Sequence, residues 1–177
     1  TRENISVNLP ESMLLAHSFK AVLVKIDNIA FNIKTLHFKL KNDETLDFKA
    51  GQYVQITRKL PRENVIRAYS FSSPSDLKDG FTLDVQLIEG GLMSSYLHGL
   101  EVGSELEFCG PFGDMTVDVP KTEEENKTLI LVAGGVGLAP MRSIVSDLIN
   151  SGFKGKLILL HGVRSRRYLY CEDEFRS

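Results

Sequence analysis

Val65-Ile66-Arg67-Ala68-Tyr69-Ser70-Phe71-Ser72-Ser73-Pro74 is the stretch from which the fold is read. Residues 65–71 alternate as a strand does, placing Arg67, Tyr69 and Phe71 on one side and Ala68, Ser70 and Ser72 on the other. A single strand edge then carries a planar fork of cationic donors, a phenol face and small hydroxyls. Such a set suits a ligand with both a pyrophosphate and a large flat ring. Taken alone, the quartet Arg67-Ala68-Tyr69-Ser70 fits an ordinary surface Arg beside a half-buried Tyr just as well, because short motifs recur by chance.

The surroundings of this stretch repeat its strand character. Residues 19–26 and 33–40 alternate apolar with polar, the first imperfectly, and residues 48–56 lead through a Gly-broken turn into a third strand. Residues 65–71 form the fourth, residues 81–88 a fifth after the Asp79-Gly80 turn, and residues 106–109 a sixth that ends at Gly110-Pro111-Phe112-Gly113. Six short strands at this spacing predict an antiparallel barrel or sandwich. Between the fifth and sixth lies one helical turn, Gly90-Gly91-Leu92-Met93-Ser94-Ser95-Tyr96-Leu97. Its glycines permit close approach of backbone to a ligand, and the free N–H groups of the turn suit an anion. The alternative is a Gly-rich hairpin loop with a Ser cap.

Past Pro120 the chain changes character. A charged connector, residues 120–127, gives way to Thr128-Leu129-Ile130-Leu131-Val132-Ala133, an uninterrupted apolar run of the kind buried on both faces of a parallel sheet. It enters Gly134-Gly135-Val136-Gly137 and then a helix whose Met141, Ile144, Val145 and Leu148 recur at helical spacing, with Pro140 in its first turn. A second apolar strand over residues 156–161 completes a βαβ unit. The glycine spacing departs from Gly-x-Gly-x-x-Gly, so the turn reads either as a nucleotide site or as a tight turn packing a helix on a sheet. Residues 1–18 show no period and read as a linker.

Composition excludes several classes. In 177 residues, 42% of them hydrophobic, there is enough chain for a core, and 21 Lys and Arg against 23 Asp and Glu leave no bias toward nucleic acid. No apolar run approaches the roughly 20 residues of a membrane helix, so no membrane segment is expected. Cys109 and Cys171 lie far apart without a Cys-x-x-Cys pair, and His17, His37, His98 and His161 have no ligand spacing, so no metal site is expected. The two cysteines read as buried, reduced thiols, in keeping with a cytoplasmic setting.

In this order, Arg67-Ala68-Tyr69-Ser70, the Gly90–Leu97 turn, Gly110-Pro111-Phe112-Gly113 and Ala133-Gly134-Gly135-Val136-Gly137-Leu138-Ala139-Pro140-Met141 closely resemble the ferredoxin–NADP reductase superfamily. Met93-Ser94-Ser95-Tyr96, Ala139-Pro140-Met141-Arg142-Ser143 and His161-Gly162-Val163-Arg164-Ser165-Arg166-Arg167 look most like the flavoprotein F subunits of sodium-translocating NADH:quinone reductases, and next like the reductase components of bacterial oxygenases. The resemblance implies a six-stranded antiparallel FAD-binding β-barrel over residues 19–119. After the connector it implies the start of a parallel-sheet NAD(P)-binding α/β domain over 128–177, truncated after about two of five strands, so that the chain reads as a fragment or one piece of a split protein. It implies Arg67 on the FAD pyrophosphate, Tyr69 against the isoalloxazine and ribityl chain, Ser70 near flavin N5 as the catalytic contact, and Ala68 among the cofactor-binding residues. Gly90, Gly91, Met93 and Ser94 would hold the pyrophosphate, and Gly134, Gly135, Val136 and Gly137 would dock the nicotinamide nucleotide.

NADH or NADPH is then the hydride donor. The expected partner is an electron-acceptor protein or ferredoxin-like domain, with a quinone or an oxygenase as other acceptors and an iron–sulfur cluster only where an upstream domain carries one. The setting is cytoplasmic or, through a complex, the cytoplasmic face of a membrane. Val136 departs from the family's frequent Thr, which removes a hydroxyl. The carboxylates 123–125 and 172–174 read as solvated faces, and Arg164, Arg166 and Arg167 as either a cofactor-phosphate contact or a docking patch. Two competing readings are an FAD-binding subunit without its own NAD(P)H turnover and a flavin-free barrel that serves as a binding module.

Overall fold

The computed structural model describes residues 16–117 and 127–175. Among these residues, eight strands and two α-helices follow in the order β1 His17–Ala30, β2 Ile33–Leu40, β3 Tyr53–Lys59, β4 Asn64–Ser70, β5 Gly80–Gln86, α1 Leu92–His98, β6 Glu105–Phe112, β7 Thr128–Gly134, α2 Leu138–Asn150 and β8 Lys156–Gly162. β1 begins at His17, inside the expected linker; that linker up to residue 15 and the connector from 120 to 126 lie outside the described residues.

The first six strands form one antiparallel sheet in the order β4-β3-β6-β1-β2-β5, and the isolated bridge Phe71↔Leu83 brings its two ends together as a barrel. β1 is long enough to pair with β6 through its first half and with β2 along the rest. Register shifts between Leu23 and Lys25 and between Asn28 and Ala30 give it the extra twist a closing sheet needs. The sixth strand runs further than its sequence signals: β6 continues through Gly110 and Pro111 to Phe112, where β3 supplies pairing partners. β5 ends two residues early, at Gln86, and just beyond it Leu87 donates its backbone N–H to the Asn32 carbonyl.

Alternation in β5 sends Phe81, Leu83 and Val85 inward, all with no exposed surface. Phe81 is the hub of the barrel core. It meets Phe108 edge-on at 5.1 Å and Phe71 edge-on at 5.4 Å, while Phe38 stacks at 5.4 Å. These separations are those at which aromatic pairs add to burial energy.

β7 and β8 pair in parallel with α2 between them in sequence. The run 128–133 is not buried on both sides as its composition suggests. Leu131 and Ala133 pack toward α2, while Ile130 and Val132 are 57% and 67% exposed, because none of the described elements covers their face. Both cysteines are free thiols, half-buried rather than buried.

The two halves meet over a broad seam. The start of β2 inserts Ile33 among Ala133, Leu138 and Tyr170, and in the turn before it Phe31 packs edge-on to Tyr168 at 5.5 Å with the Arg167 guanidinium 4.1 Å above its ring. Ser75 donates from N and Oγ to the Asp147 carboxylate of α2. Gly51, with φ +97°, lies under the Met115 carbonyl and close to Ile144.

A Gly51→Ala substitution would place a Cβ against that carbonyl in a backbone region side chains avoid. It is expected to destabilise the protein by about 2–4 kcal/mol, read from urea unfolding followed by circular dichroism. A second expectation concerns pH. His98, at the end of α1, donates from Nε2 to the Val85 carbonyl at 2.9 Å, while its own carbonyl receives Lys34 Nζ at 2.9 Å. Burial pushes its imidazole below the usual 6.5; the Val85 bond opposes this and Lys34 adds to it. The folded protein therefore holds this proton less readily than the unfolded chain. The contribution is present in full above about pH 6.5 and lost as pH falls through the folded value. Equilibrium unfolding across pH 5–8 should show that slope, and His98→Gln should flatten it.

Candidate functional site

β4 and β5 are the two ends of the sheet order, and among the described residues they are joined just past the end of β4, by the Phe71↔Leu83 bridge and the hydrogen bonds of Ser72 and Ser73 with Thr82. The rest of the β4 edge is open, and beside it lies a cleft of about 310 Å³. Arg67, Ala68, Tyr69 and Ser70 form one wall, Asp84, Gln86 and Ile88 a second, and Val136, Gly137, Ala139 and Pro140 a third. Pairing with β3 fixes the first wall in register, Tyr69 opposite Val54 and Ser70 opposite Tyr53.

Arg67 is exposed, and its Nη1 donates to the carbonyl of its neighbour Ile66 at 2.8 Å, leaving the rest of its fork open. Tyr69 is half-buried against the barrel core, and burial pushes its phenol up while Arg67 pulls it down. Arg67 and Tyr69 share a side with the buried Val65 and Phe71, yet both reach the cleft, because this end of β4 lies at the rim where the core gives way to open space.

Ser94 also lines the cleft, but its hydroxyl is committed locally. Oγ accepts the Ile88 N–H at 3.1 Å and so closes the turn that carries Gly90 and Gly91. A Cβ on Gly91 would meet that Oγ at 2.5 Å, which is why the position takes glycine. Gly90 and Gly91 lie in neither cleft wall, and Met93, 2% exposed, is part of the barrel core, so any contact from these three would be made by backbone. Arg58 braces α1 from β3, donating to Leu92 O at 2.9 Å with its guanidinium 4.7 Å above the Tyr96 ring.

A larger cleft of about 540 Å³ adjoins the first. Gly134, Gly135 and Val136 form its floor, with Gly162, Val163 and Arg164 after β8 and with Ile33 and Tyr168. Gln86, Ile88 and Val136 belong to both clefts and form a shared wall. The floor is a 3-10 turn, Gly135–Gly137, leading directly into α2, and Gly135 takes φ +51°. His161 fastens it from β8, its Nε2 donating to the Gly135 carbonyl at 2.9 Å. A Cβ on Gly134 or Gly137 would meet nothing within 4 Å and would project into open space.

Behind the first cleft lies a buried polar cluster. Asp84, its side chain wholly buried, accepts Thr35 Oγ1 at 2.8 Å and Arg142 Nη1 at 3.0 and 3.1 Å. Arg142 also reaches Glu174, with Nη2 at 3.0 Å from Oε2. Burial works against the Arg142 cation, but Asp84 and Glu174 outweigh it and the guanidinium is held more firmly protonated than usual. Burial and then Asp84 push the Tyr170 phenol up, and burial pushes the Cys171 thiol up to about 12 against the pull of Arg142, so both stay neutral at ordinary pH.

The structure thus brings Arg67, Ala68, Tyr69, Ser70, Ser94, Val136 and Gly137 into one cleft and Gly134 and Gly135 into the next, with Val136 in both. Sequence reasoning missed Asp84, Gln86, Ile88, Ala139 and Pro140. The alternation of residues 81–86 marks Asp84 and Gln86 as facing away from the core, but nothing local says what they meet.

Comparison with known proteins points the same way. Residues 20–117 match the model of the oxidoreductase FAD-binding domain, and residues 131–177 that of the oxidoreductase NAD-binding domain. The chain is 35% identical to the reductase component DmpP of phenol 2-monooxygenase from Pseudomonas sp. (strain CF600), over 87% of this chain and 42% of that protein. It is 34% identical to ferredoxin–NADP reductase B of Sorangium cellulosum (strain So ce56), over 93% and 66%. With the F subunit of the Na(+)-translocating NADH-quinone reductase of Serratia proteamaculans (strain 568) it shares 27% identity, over 99% and 52%. It therefore spans about half the length of the curated relatives it matches. Among solved structures, the Amycolatopsis cytochrome P450 reductase GcoB superposes with a TM-score of 0.79 at 28% identity, over 90% of this chain and 47% of that one. Barrel, glycine turn and both domain matches together show that the chain belongs to the ferredoxin–NADP reductase family, as an FAD-binding domain joined to an NAD-binding domain.

Proposed function

We propose that this chain is the cofactor-binding part of an NAD(P)H-dependent flavoprotein reductase, with FAD in the smaller cleft and the nicotinamide nucleotide in the larger. The observation that carries this reading is the wall of Gln86, Ile88 and Val136 common to both clefts, because two rings that exchange a hydride must meet face to face at about 3–3.5 Å. The residues present fit the cofactor. The Arg67 fork is open for a pyrophosphate, the half-buried Tyr69 offers a flat face, and the free β4 edge offers backbone groups.

When bound, FAD would supply the chemistry of taking a hydride from a reduced nicotinamide and releasing electrons to an acceptor. The chain's own contributions are positional and electrostatic. Ser70, at the end of β4, presents a hydroxyl at the cleft as a hydrogen-bond donor to the reacting edge of the ring. The turn of Gly90, Gly91, Met93 and Ser94 supports the pyrophosphate through backbone. Gly134, Gly135 and Gly137 keep the nucleotide floor free of side chains, and Val136 packs an apolar surface where the two clefts join. In this reading the barrel domain occupies residues 19–119 and the nucleotide domain 128–177.

The proposed acceptor is an iron–sulfur protein or ferredoxin-like domain, an oxygenase component or a quinone. The relatives that are a monooxygenase reductase component, a ferredoxin–NADP reductase and part of a NADH-quinone reductase support that range. No helix among the described residues is long and apolar enough to cross a membrane, and the proposed place of action is the cytoplasm or the cytoplasmic face of a membrane complex. The exposed Ile130, Val132 and Leu160 of the β7–β8 sheet favour a second reading, in which the chain holds FAD but turns over NAD(P)H only when that face is covered.

Anaerobic titration separates the two. The purified chain is expected to take up FAD and show a flavin spectrum. Bleaching by NADH or NADPH supports the first reading, stable oxidised colour the second, and a protein that stays colourless in excess FAD contradicts both. Arg67→Ala removes a charge-assisted contact of about 1.5–3 kcal/mol, so FAD should bind about 10- to 150-fold more weakly, measured by fluorescence quenching, with the unfolding midpoint unchanged.

A further inference from the structure

Asp84 is the one carboxylate among the residues lining the smaller cleft, and its side chain has no exposed surface. It comes from the outward face of β5, the face that also places Gln86 in the shared wall. Its countercharge comes from the other half of the molecule: Arg142, on α2, just past the wall residues Ala139 and Pro140 and itself outside that lining. Glu174 holds the far side of the same guanidinium and is 41% exposed. Tyr170, whose hydroxyl is buried without a hydrogen-bond partner among the described residues, and Cys171 are the other titratable groups in the cluster.

A wholly buried carboxylate in the wall of a redox cleft is costly for the reaction proposed above, because reduction brings negative charge onto the ring. Between charges screened by little water the repulsion is large, and salt does little to weaken it. We propose that Arg142 is a positioning residue for that reaction: by pairing with Asp84 it cancels the carboxylate in the cleft wall and so sets how readily the bound cofactor accepts electrons. Thr35 fixes the carboxylate and Glu174 fixes the guanidinium, so the charges keep their places without solvent reorganisation. The pair also links cofactor reduction to docking of the nucleotide half, since the cation arrives only with α2.

This inference rests on the assignment of FAD to the smaller cleft, and its test reads the midpoint potential of the bound cofactor, by equilibration with a reference dye under slow enzymatic reduction. Four variants of the full chain are compared with the parent: Arg142→Gln, Asp84→Asn, the double Asp84→Asn/Arg142→Gln, and Glu174→Gln. The expected result is a lowered potential in Arg142→Gln, a raised one in Asp84→Asn, a smaller rise in Glu174→Gln and a return close to the parent in the double variant. Opposite signs are the signature of charge, because loss of packing alone would loosen the cleft in each single variant without reversing the direction of the shift.

Urea unfolding of the FAD-free proteins is read beside the potentials. Arg142→Gln leaves a buried carboxylate unpaired and should unfold most easily, and the double variant should recover most of that loss. Should Arg142→Gln not fold, Asp84→Asn and Glu174→Gln retain the cation and decide the sign against the double variant. Potentials that do not move, or that all move one way, overturn the inference while the coloured parent upholds the cofactor assignment. A parent that takes up no FAD overturns both.

Discussion

A wholly buried carboxylate must be partnered, and the partner of Asp84 is on a different domain. Taking two charges out of water costs several kcal/mol per ion, and only close, multiple hydrogen bonds repay it. Asp84 has them from Thr35 on β2 and Arg142 on α2, so the pair forms only when helix and barrel stand in one relation to each other. The apolar contacts of Ile33 with Leu138 and Tyr170 bring the halves together, but such packing is non-directional. The ion pair is directional. It fixes where the first residues of α2, and with them Val136 and Gly137, lie against the end of β5.

That constraint explains why the same few side chains serve two clefts. β5 projects Asp84 and then Gln86 outward at a two-residue interval, and Ile88 follows where the strand has ended. Once Asp84 is pinned to α2, Gln86 and Ile88 fall against the glycine turn that precedes α2, and the turn divides the space into a barrel side and a sheet side. His161 then holds the turn from β8 through the Gly135 carbonyl. Glycine there keeps both sides open, since any larger residue at 134 or 137 would occupy the clefts themselves.

The sequence discloses those parts of the fold that depend on neighbours along the chain. Alternation in Phe81-Thr82-Leu83-Asp84-Val85-Gln86 marks a strand and its core face, and the apolar spacing of Ile144, Val145 and Leu148 marks the buried stripe of α2. The order of four motifs marks the family. Local pattern does not show what an outward face meets: Arg142 lies 58 positions from Asp84, and nothing near either names the other. Ser94 is a similar case, for its motif marks a ligand turn while its hydroxyl is bound to Ile88, a commitment that only the folded geometry of the turn discloses. The run 128–133 reads as doubly buried because Ile, Leu and Val are what such strands contain, but burial of its second face depends on which elements cover it, and that is a tertiary property.

The position of the smaller cleft follows from how the barrel closes. An open strand edge with unpaired N–H and C=O groups invites pairing with another chain, and a closed barrel normally removes it. Here the closure lies just past β4, at the Phe71↔Leu83 bridge and the hydrogen bonds of Ser72 and Ser73 with Thr82, and among the described residues the part of β4 before it, Arg67 to Ser70, has no strand partner on the side toward β5. The glycine turn and Pro140 cover that edge at a distance, so it is shielded from other chains yet left with space beside it. Full hydrogen bonding between β4 and β5 would strengthen the barrel and abolish the cleft. The edge stays available because the second domain, held by the Asp84–Arg142 pair, does the covering that a neighbouring strand would otherwise do.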